Sequence, residues 1–343
     1  MDELTQRQES ILALVIHEYI ETAQPVGSKG LVSKYALEVS PATVRNEMGA
    51  LTEAGLLRQP HTSAGRVPTE EGYRYFVRRL LHETELPPQE QRLISHQFHQ
   101  ARADIDEWIR LAASVLAQHA HGASLVTPPL HERTIFKHLE LVSTQGRQVL
   151  LLLVCQGGDT RQRMLTLDHA IEQPRLSQAA DEISRMCSGM THEAVAQQAN
   201  RVAGFAQEVV RLVAAEMARS EAFTPMEIYH DGLTNVLTQP EFADSGHALQ
   251  ALRLFEERTF LEDVVSKALS PGVGGVQVVI GGEGAWEELR DCSIVLSRYG
   301  VPGYATGALG VLGPTRMAYN RTISSVRYVA NLMSNLIIET FAG

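Results

Sequence analysis

Between Ser40 and Ala54 the chain carries side chains whose types and spacing suit the reading of base edges. At about 100° per residue, Val44, Met48 and Leu51 align as one apolar stripe of a helix. The opposite face presents Ala42, Asn46 and Gly49, with Thr43 and Arg45 on its flanks. An arginine reaches guanine O6 and N7 with two parallel bonds, and an asparagine does the same to adenine N6 and N7. Thr43 can meet a phosphate or a thymine methyl. Ala42 and Gly49 are small enough for close approach of the backbone to a groove. These are the residue types that a major-groove helix needs near its N-terminal end. An ordinary solvated face carries such residues too, so the flanking elements decide.

Those elements are legible. Thr5 and Gln8 fit a capping box, and Ile11, Leu12, Val15, Ile16, Tyr19 and Ile20 then recur at helical spacing. Pro25 and Gly27 break this helix, and Ser28 is placed to cap a short second one with Leu31, Val32 and Tyr35 inward. Ser40-Pro41 is a strong start for the third, and Gly55 is placed to end it. Leu56–Gln59 and Arg66-Val67 read as two short strands around a turn. Pro68-Thr69 then caps a fourth helix with Tyr73, Phe76, Val77, Leu80 and Leu81 inward. Three helices and a hairpin make a winged helix-turn-helix over residues 1–82. Its wing supplies His61, Thr62, Ser63 and Arg66 as further candidate DNA contacts. Arg74, with Arg78 and Arg79, is a candidate for phosphate.

Residues 83–91, with Pro87-Pro88, read as a linker. A helix through Ile105, Trp108, Ile109, Ala112 and Leu116 follows. Strands are expected at Leu139–Val142, Val149–Val154 and Met164–Leu167. The pattern is helical from about Arg175 to Ala218 and again from Ala248 to Leu269. Strands return at Val276–Ile280, Ser293–Leu296 and Gly307–Leu312, before a last helix through Ile323, Val326, Ala330, Met333 and Ile337. Strands, helices and strands again describe an α+β chain in which a sheet domain (92–170 and 266–343) carries a helical insertion (171–265).

The sequence resembles the HrcA family of heat-inducible transcription repressors. The residues that carry the likeness are Pro25-Val26-Gly27-Ser28, Ser40-Pro41-Ala42-Thr43-Val44-Arg45-Asn46, Gly55-Leu56-Leu57, Pro60-His61-Thr62-Ser63-Ala64-Gly65-Arg66, Pro68-Thr69 and Gly72-Tyr73-Arg74. Toward the far end, Gly310-Val311-Leu312-Gly313-Pro314-Thr315-Arg316-Met317 and Tyr319 fit as well, while Gly281-Gly282-Glu283-Gly284 is looser than the family pattern. The resemblance implies an N-terminal winged helix, a GAF-like sheet domain and a dimerising insertion within that domain. It further implies a homodimer that represses chaperone operons from an inverted-repeat operator of the CIRCE type in double-stranded DNA. The GroE chaperonin would support its activity.

Composition bounds the alternatives. Of 343 residues, 44% are apolar and 20% charged, ordinary for globular chains and too long for one domain. The net charge of −10 does not exclude DNA, because residues 1–82 hold nine Lys/Arg against ten Asp/Glu, while the acidic excess lies beyond them. Phosphate binding follows local clusters. Arg45 to Arg79 contains six arginines. The longest apolar run, Val149–Cys155, is far shorter than the roughly 20 residues of a membrane span. No signal core follows Met1-Asp2-Glu3, and Cys155, Cys187 and Cys292 form no C-x-x-C pair. A cytoplasmic protein without membrane partner or disulfide framework is expected. The Gly281–Gly284 turn lacks both nucleotide spacings, the thirteen histidines show no H-E-x-x-H, and no nucleophile elbow is present. No enzyme activity, cofactor or metal is therefore expected. The alternatives are a ligand-sensing winged-helix regulator of another regulon, acting through its GAF-like domain, and, further off, a nucleotide-using enzyme.

Overall fold

Thr5 opens the first helix in the computed structural model, which describes residues 4–61, 64–81, 84–101, 104–131, 134–156, 160–221, 228–242, 257, 261, 263–265, 272–281, 286–302 and 304–342. Both bonds of the capping box are made: Gln8 N–H donates to Thr5 Oγ1 and Thr5 N–H to Gln8 Oε1. Helix α1 (Gln6–Thr22) buries Ile11, Leu12, Val15 and Ile16. Helix α2 (Ser28–Tyr35) differs from expectation at its start. Gly27 is the N-cap and Ser28 the first helical residue, so no side chain caps it. Helix α3 (Pro41–Glu53) starts on the Ser40 hydroxyl, which accepts from Thr43 N–H at 3.1 Å. It ends before Gly55, whose φ of +77° is the left-handed turn that glycine adopts without strain.

Strands β1 (Leu57–Arg58) and β2 (Val67–Pro68) pair antiparallel. Helix α4 (Glu70–Tyr75) is capped by Thr69 and passes into a π-type turn over Phe76–Leu80. Tyr73 is buried as predicted, but Phe76, Val77, Leu80 and Leu81 are only half-buried.

The stretch read as a linker is packed. Leu86 is buried, the Thr84 carbonyl accepts from the Ser324 hydroxyl at 2.6 Å, and Pro88 starts helix α5 (Pro88–Gln100). A proline pair breaks a helical pattern, but its second member also suits a first helical position. Helix α6 (Ile105–Ala120) follows and packs on strand β3 (Ala123–Val126), which periodicity did not reveal.

By its internal contacts the chain forms two units: residues 1–128, 227–299 and 307–336, and residues 129–226, 300–306 and 337–343. In the second unit β4 (Leu130–His131) pairs with Ala305 and Thr306. Strands β5 (Phe136–Ser143), β6 (Gln148–Cys155) and β7 (Thr160–Thr166) form their own antiparallel sheet in that order. They do not join the sheet made by the C-terminal strands, as the sequence reading had them do. Helices α7 (Gln173–Cys187), α8 (His192–Gln198) and α9 (Phe205–Glu221) cover one face of it. Leu139, Leu141, Leu151 and Leu153 meet Leu176, Ile183, Val210 and Val213 in one core. Alternation of buried and open positions along β5 and β6 marks a sheet covered on one side.

The first unit resumes with β8 (Tyr229–Asp231), α10 (Leu233–Leu237), β9 (Val276–Ile280), β10 (Cys292–Val301), β11 (Ala305–Pro314) and α11 (Tyr319–Ile337). Its sheet has the order β8-β3-β11-β10-β9. Every residue of β11 is buried, so this sheet is covered on both faces there. Of the helix expected from Ala248 to Leu269, only Glu257, Leu261 and Asp263–Val265 lie within the described residues.

Candidate nucleic-acid interface

Helix α3 is held by its buried stripe of Val44, Met48 and Leu51, which fixes what the opposite face shows. Arg45 and Asn46 are exposed there, and among the described residues neither has a hydrogen-bond or ion-pair partner. A side chain at Gly49 would meet nothing within 4 Å, so the helix surface is open at that point. Thr43 is half-buried, its hydroxyl 2.9 Å from that of Ser40. The acidic neighbour Glu47 lies 3.6 Å from Arg7, which offsets its charge beside Arg45.

The hairpin between β1 and β2 is stitched to the segment before α2. Val26 and Arg66 exchange both backbone bonds at 2.9 Å. Gly65 allows this approach, because a Cβ there would lie 2.3 Å from the Val26 carbonyl oxygen. The Arg66 side chain turns toward α3, where its Nε donates to Thr52 Oγ1 at 3.0 Å. Thr52 in turn donates to the Met48 carbonyl at 2.7 Å. The result is a cleft of about 380 Å³ with the start of α2 on one side, Arg45 on another and Gln59, Gly65 and Arg66 closing it.

Arg45 and Arg66 are thus brought together in one cleft, with Thr43, Asn46 and Gly49 on the same helix as Arg45. His61 is exposed, and its carbonyl accepts from Ala64 N–H at 2.9 Å. Thr62 and Ser63 lie outside the described residues. Arg74 does not line the cleft. Its Nη1 and Nη2 are 3.0 Å from Glu71 and Glu70, and Nη2 also donates to the Ile280 carbonyl at 3.0 Å. An i,i+3 and i,i+4 acidic pair on the same helix is a weak hold by itself; the Ile280 carbonyl adds a third acceptor to it. Thr52, Gly27 and Ser28 were not singled out as site residues. Pro25-Val26-Gly27-Ser28 reads as a helix break and cap and as part of the family pattern, and no helical periodicity places that segment against the hairpin.

Elsewhere, the Glu70 carboxylate packs against Gly281, so an acidic group occupies the space that a phosphate would need at that turn. Gly282–Ala285 lie outside the described residues. No group of three or more His, Cys, Asp or Glu among the described residues is placed to hold a metal. No described helix is long and apolar enough to cross a membrane.

Residues 106–323 match the family model described as "HrcA protein C terminal domain". The chain is 46% identical over 347 residues to the protein named Heat-inducible transcription repressor HrcA of Roseiflexus castenholzii, covering 99% of this chain and 96% of that one. It is 45% identical over 353 residues to the protein of that name from Chloroflexus aggregans, at 98% and 94% coverage. A solved structure described as "Crystal structure of a hypothetical protein at 2.2 A resolution" shares the fold with a TM-score of 0.62 and 21% identity, over 98% of this chain and 100% of that one. Matched over nearly its whole length by such relatives, the chain belongs to the HrcA family of heat-inducible transcription repressors.

Proposed function

We propose that residues 1–82 are a winged helix that places α3 in the major groove of double-stranded DNA, with the hairpin after β1 as the wing. The observation that carries this reading is the pair Arg45 and Asn46, exposed and, among the described residues, unpartnered on a well-capped helix, beside Arg66 at the wing root. Repression then follows by occupancy of an inverted-repeat operator of the CIRCE type at chaperone operons. The sheet that contains β8, β3, β11, β10 and β9, with its helices, is read as the GAF-like domain.

An inverted repeat calls for a two-fold protein, because identical helices read the two half-sites. The resemblance implies a dimerising insertion over 171–265; in the described part of that span the apolar faces of α7 and α9 share one buried core with β5 and β6. We assign dimerisation instead to the outer face of the β5–β7 sheet. There Val142, Leu150 and Met164 lie in register across the three strands, and Val142 and Met164 are 43% and 51% exposed. An uncovered apolar row across a sheet invites a second copy of itself. GroE is read as the chaperonin that maintains the active form.

The test is a gel shift with the inverted repeat upstream of the chaperonin genes of the source genome against a scrambled duplex. Preference for the repeat, reduced in Arg45→Ala, is expected. Equal binding to both duplexes by the unaltered chain would overturn the assignment.

A further inference from the structure

The cleft between α2, α3 and the hairpin holds more than the two arginines that the groove reading uses. Helix α2 begins without a cap: Gly27 offers no side chain, and among the described residues nothing accepts from the N–H groups of Ser28, Lys29 and Gly30. The first turn of a helix concentrates partial positive charge and free donors. Ser28 lines the cleft with 7% of its surface exposed, and among the described residues its hydroxyl makes no hydrogen bond. The hydroxyl oxygen opens into the cleft, where a ligand can take it up as a donor. Arg66 faces the same cleft with Nε tied to Thr52 and both Nη groups unpaired among the described residues. Its guanidinium is therefore set in orientation before any ligand arrives. The Val26–Arg66 backbone bonds fix the distance between the arginine and the helix start.

Open backbone donors, an unengaged hydroxyl facing the cleft and an oriented guanidinium form an anion cradle. We propose that this cradle seats one phosphodiester oxygen pair of the DNA backbone, with Ser28 and the first turn of α2 as binding groups alongside Arg66. It sets the register of α3 in the groove, while Arg45 and Asn46 remain free for bases. The inference rests on the DNA-binding reading given above and adds to it a subsite that carries no sequence information.

Ser28→Asp separates this role from a structural one. An acidic residue in the first turn of α2, which has none, suits the helix and should leave Tm unchanged or raised. In the cradle the same carboxylate repels phosphate. The full-length chain carrying Ser28→Asp should bind the operator duplex and an unrelated duplex more than tenfold more weakly, by equal factors. Arg66→Gln should lower the slope of log affinity against log salt by about 1. A methylphosphonate scan completes the test: the one neutralised phosphate that weakens the unaltered protein should have no further effect in Arg66→Gln. A Ser28→Asp protein that binds both duplexes as tightly as the parent overturns the cradle. So does a scan in which every neutralised phosphate weakens Arg66→Gln as it does the parent. Failure of the underlying reading looks different, because the unaltered chain would then show no salt-dependent binding to either duplex.

Discussion

Arg74 Nη2 lies 3.0 Å from the carbonyl oxygen of Ile280, a residue 206 positions further along the chain. This bond ties the N-terminal helices to the last residue of edge strand β9. A reciprocal tie comes from the other direction, where Arg316 after β11 donates to the Ile20 carbonyl near the end of α1 at 3.1 Å. Between the two, the rings of Tyr73 and Tyr319 are 5.9 Å apart. The N-terminal module cannot turn against the sheet without breaking these contacts. Arg74→Ala should therefore lower stability by about 2 kcal/mol, as expected for a hydrogen bond to a charged group that is largely shielded. The salt slope of DNA binding should stay at the parent value, since the guanidinium is already occupied. Denaturant unfolding and a salt titration read the two effects separately; a slope reduced as far as in Arg66→Gln would return Arg74 to the phosphate set.

Arg316 spans three acceptors. Besides Ile20 it donates to Gln239 Oε1 at 2.6 Å and pairs with Glu241, and its side chain is 13% exposed. Removing one member of a mostly buried pair strands the other, and the second Glu241 oxygen already has no hydrogen-bond partner. Arg316→Ala should cost about 3 kcal/mol in equilibrium unfolding. Arg316→Lys should recover little of this, because one ammonium cannot reach three acceptors arranged for a planar fork. Full recovery in the lysine variant would show that only charge matters there.

Base readout is assigned to Arg45 and Asn46. Arg45→Ala and Asn46→Ala should each cost about 1–3 kcal/mol on the operator and relax the preference at one base position. Neither should shift Tm by more than a surface substitution does, since both side chains are exposed on a helix held from its other face. Selection from a randomised duplex pool checks the base preference directly. An unchanged selected sequence with Arg45→Ala would remove that residue from the groove.

Dimerisation is assigned to the outer face of the β5–β7 sheet. Leu150 is half-buried at the centre of the row, with Val142 and Met164 as its cross-strand neighbours. Leu150→Asp should shift the protein to monomer in sedimentation and weaken operator binding by the loss of bivalency, about 10²-fold or more. Leu151→Asp, one residue along, points into the core and should unfold the second unit instead. A dimer that survives Leu150→Asp at micromolar concentration would place the two-fold contact elsewhere.

The N-terminal 80 residues were legible because each local signal agreed with the next. A capping box, Ser-Pro at a helix start and glycine at a helix end all rest on neighbouring residues. The fate of Arg74 was not legible, since its choice between phosphate and protein depends on a carbonyl 206 positions away. Strands β5–β7 were found, but their alternation is equally consistent with joining the C-terminal strands or standing alone. Pairing partners are a tertiary fact that periodicity does not encode. Strand β3 was missed because Ala123-Ser124-Leu125-Val126 is too short to alternate visibly. Ser28 has the residue type of a cap, but the N-cap is Gly27, one residue earlier, and that shift of one position is what leaves the serine hydroxyl without a capping bond.

The heat response can be followed through the three cysteines. All are buried and none is in a disulfide: Cys155 and Cys187 lie in the core of the second unit and Cys292 in the sheet of the first. Burial pushes the Cys187 thiol up to about 11, and burial together with the neighbouring Asp291 pushes Cys292 up to about 12. Only the thiolate reacts, so at neutral pH both are inert while folded and become reactive when their own unit opens. If the signal is the folding equilibrium itself, warming should expose Cys155 and Cys187, or Cys292, to a maleimide reagent over the range in which operator binding is lost. A chaperonin that recovers the active form raises the operator-binding fraction, and unfolded client in excess lowers it by competing for chaperonin. The measurement combines a thiol-labelling time course with an operator titration at fixed protein, with and without chaperonin and ATP. Binding lost on warming while all three cysteines stay unlabelled would assign the heat signal to something other than unfolding. An active fraction unmoved by chaperonin at every temperature would remove it from the mechanism.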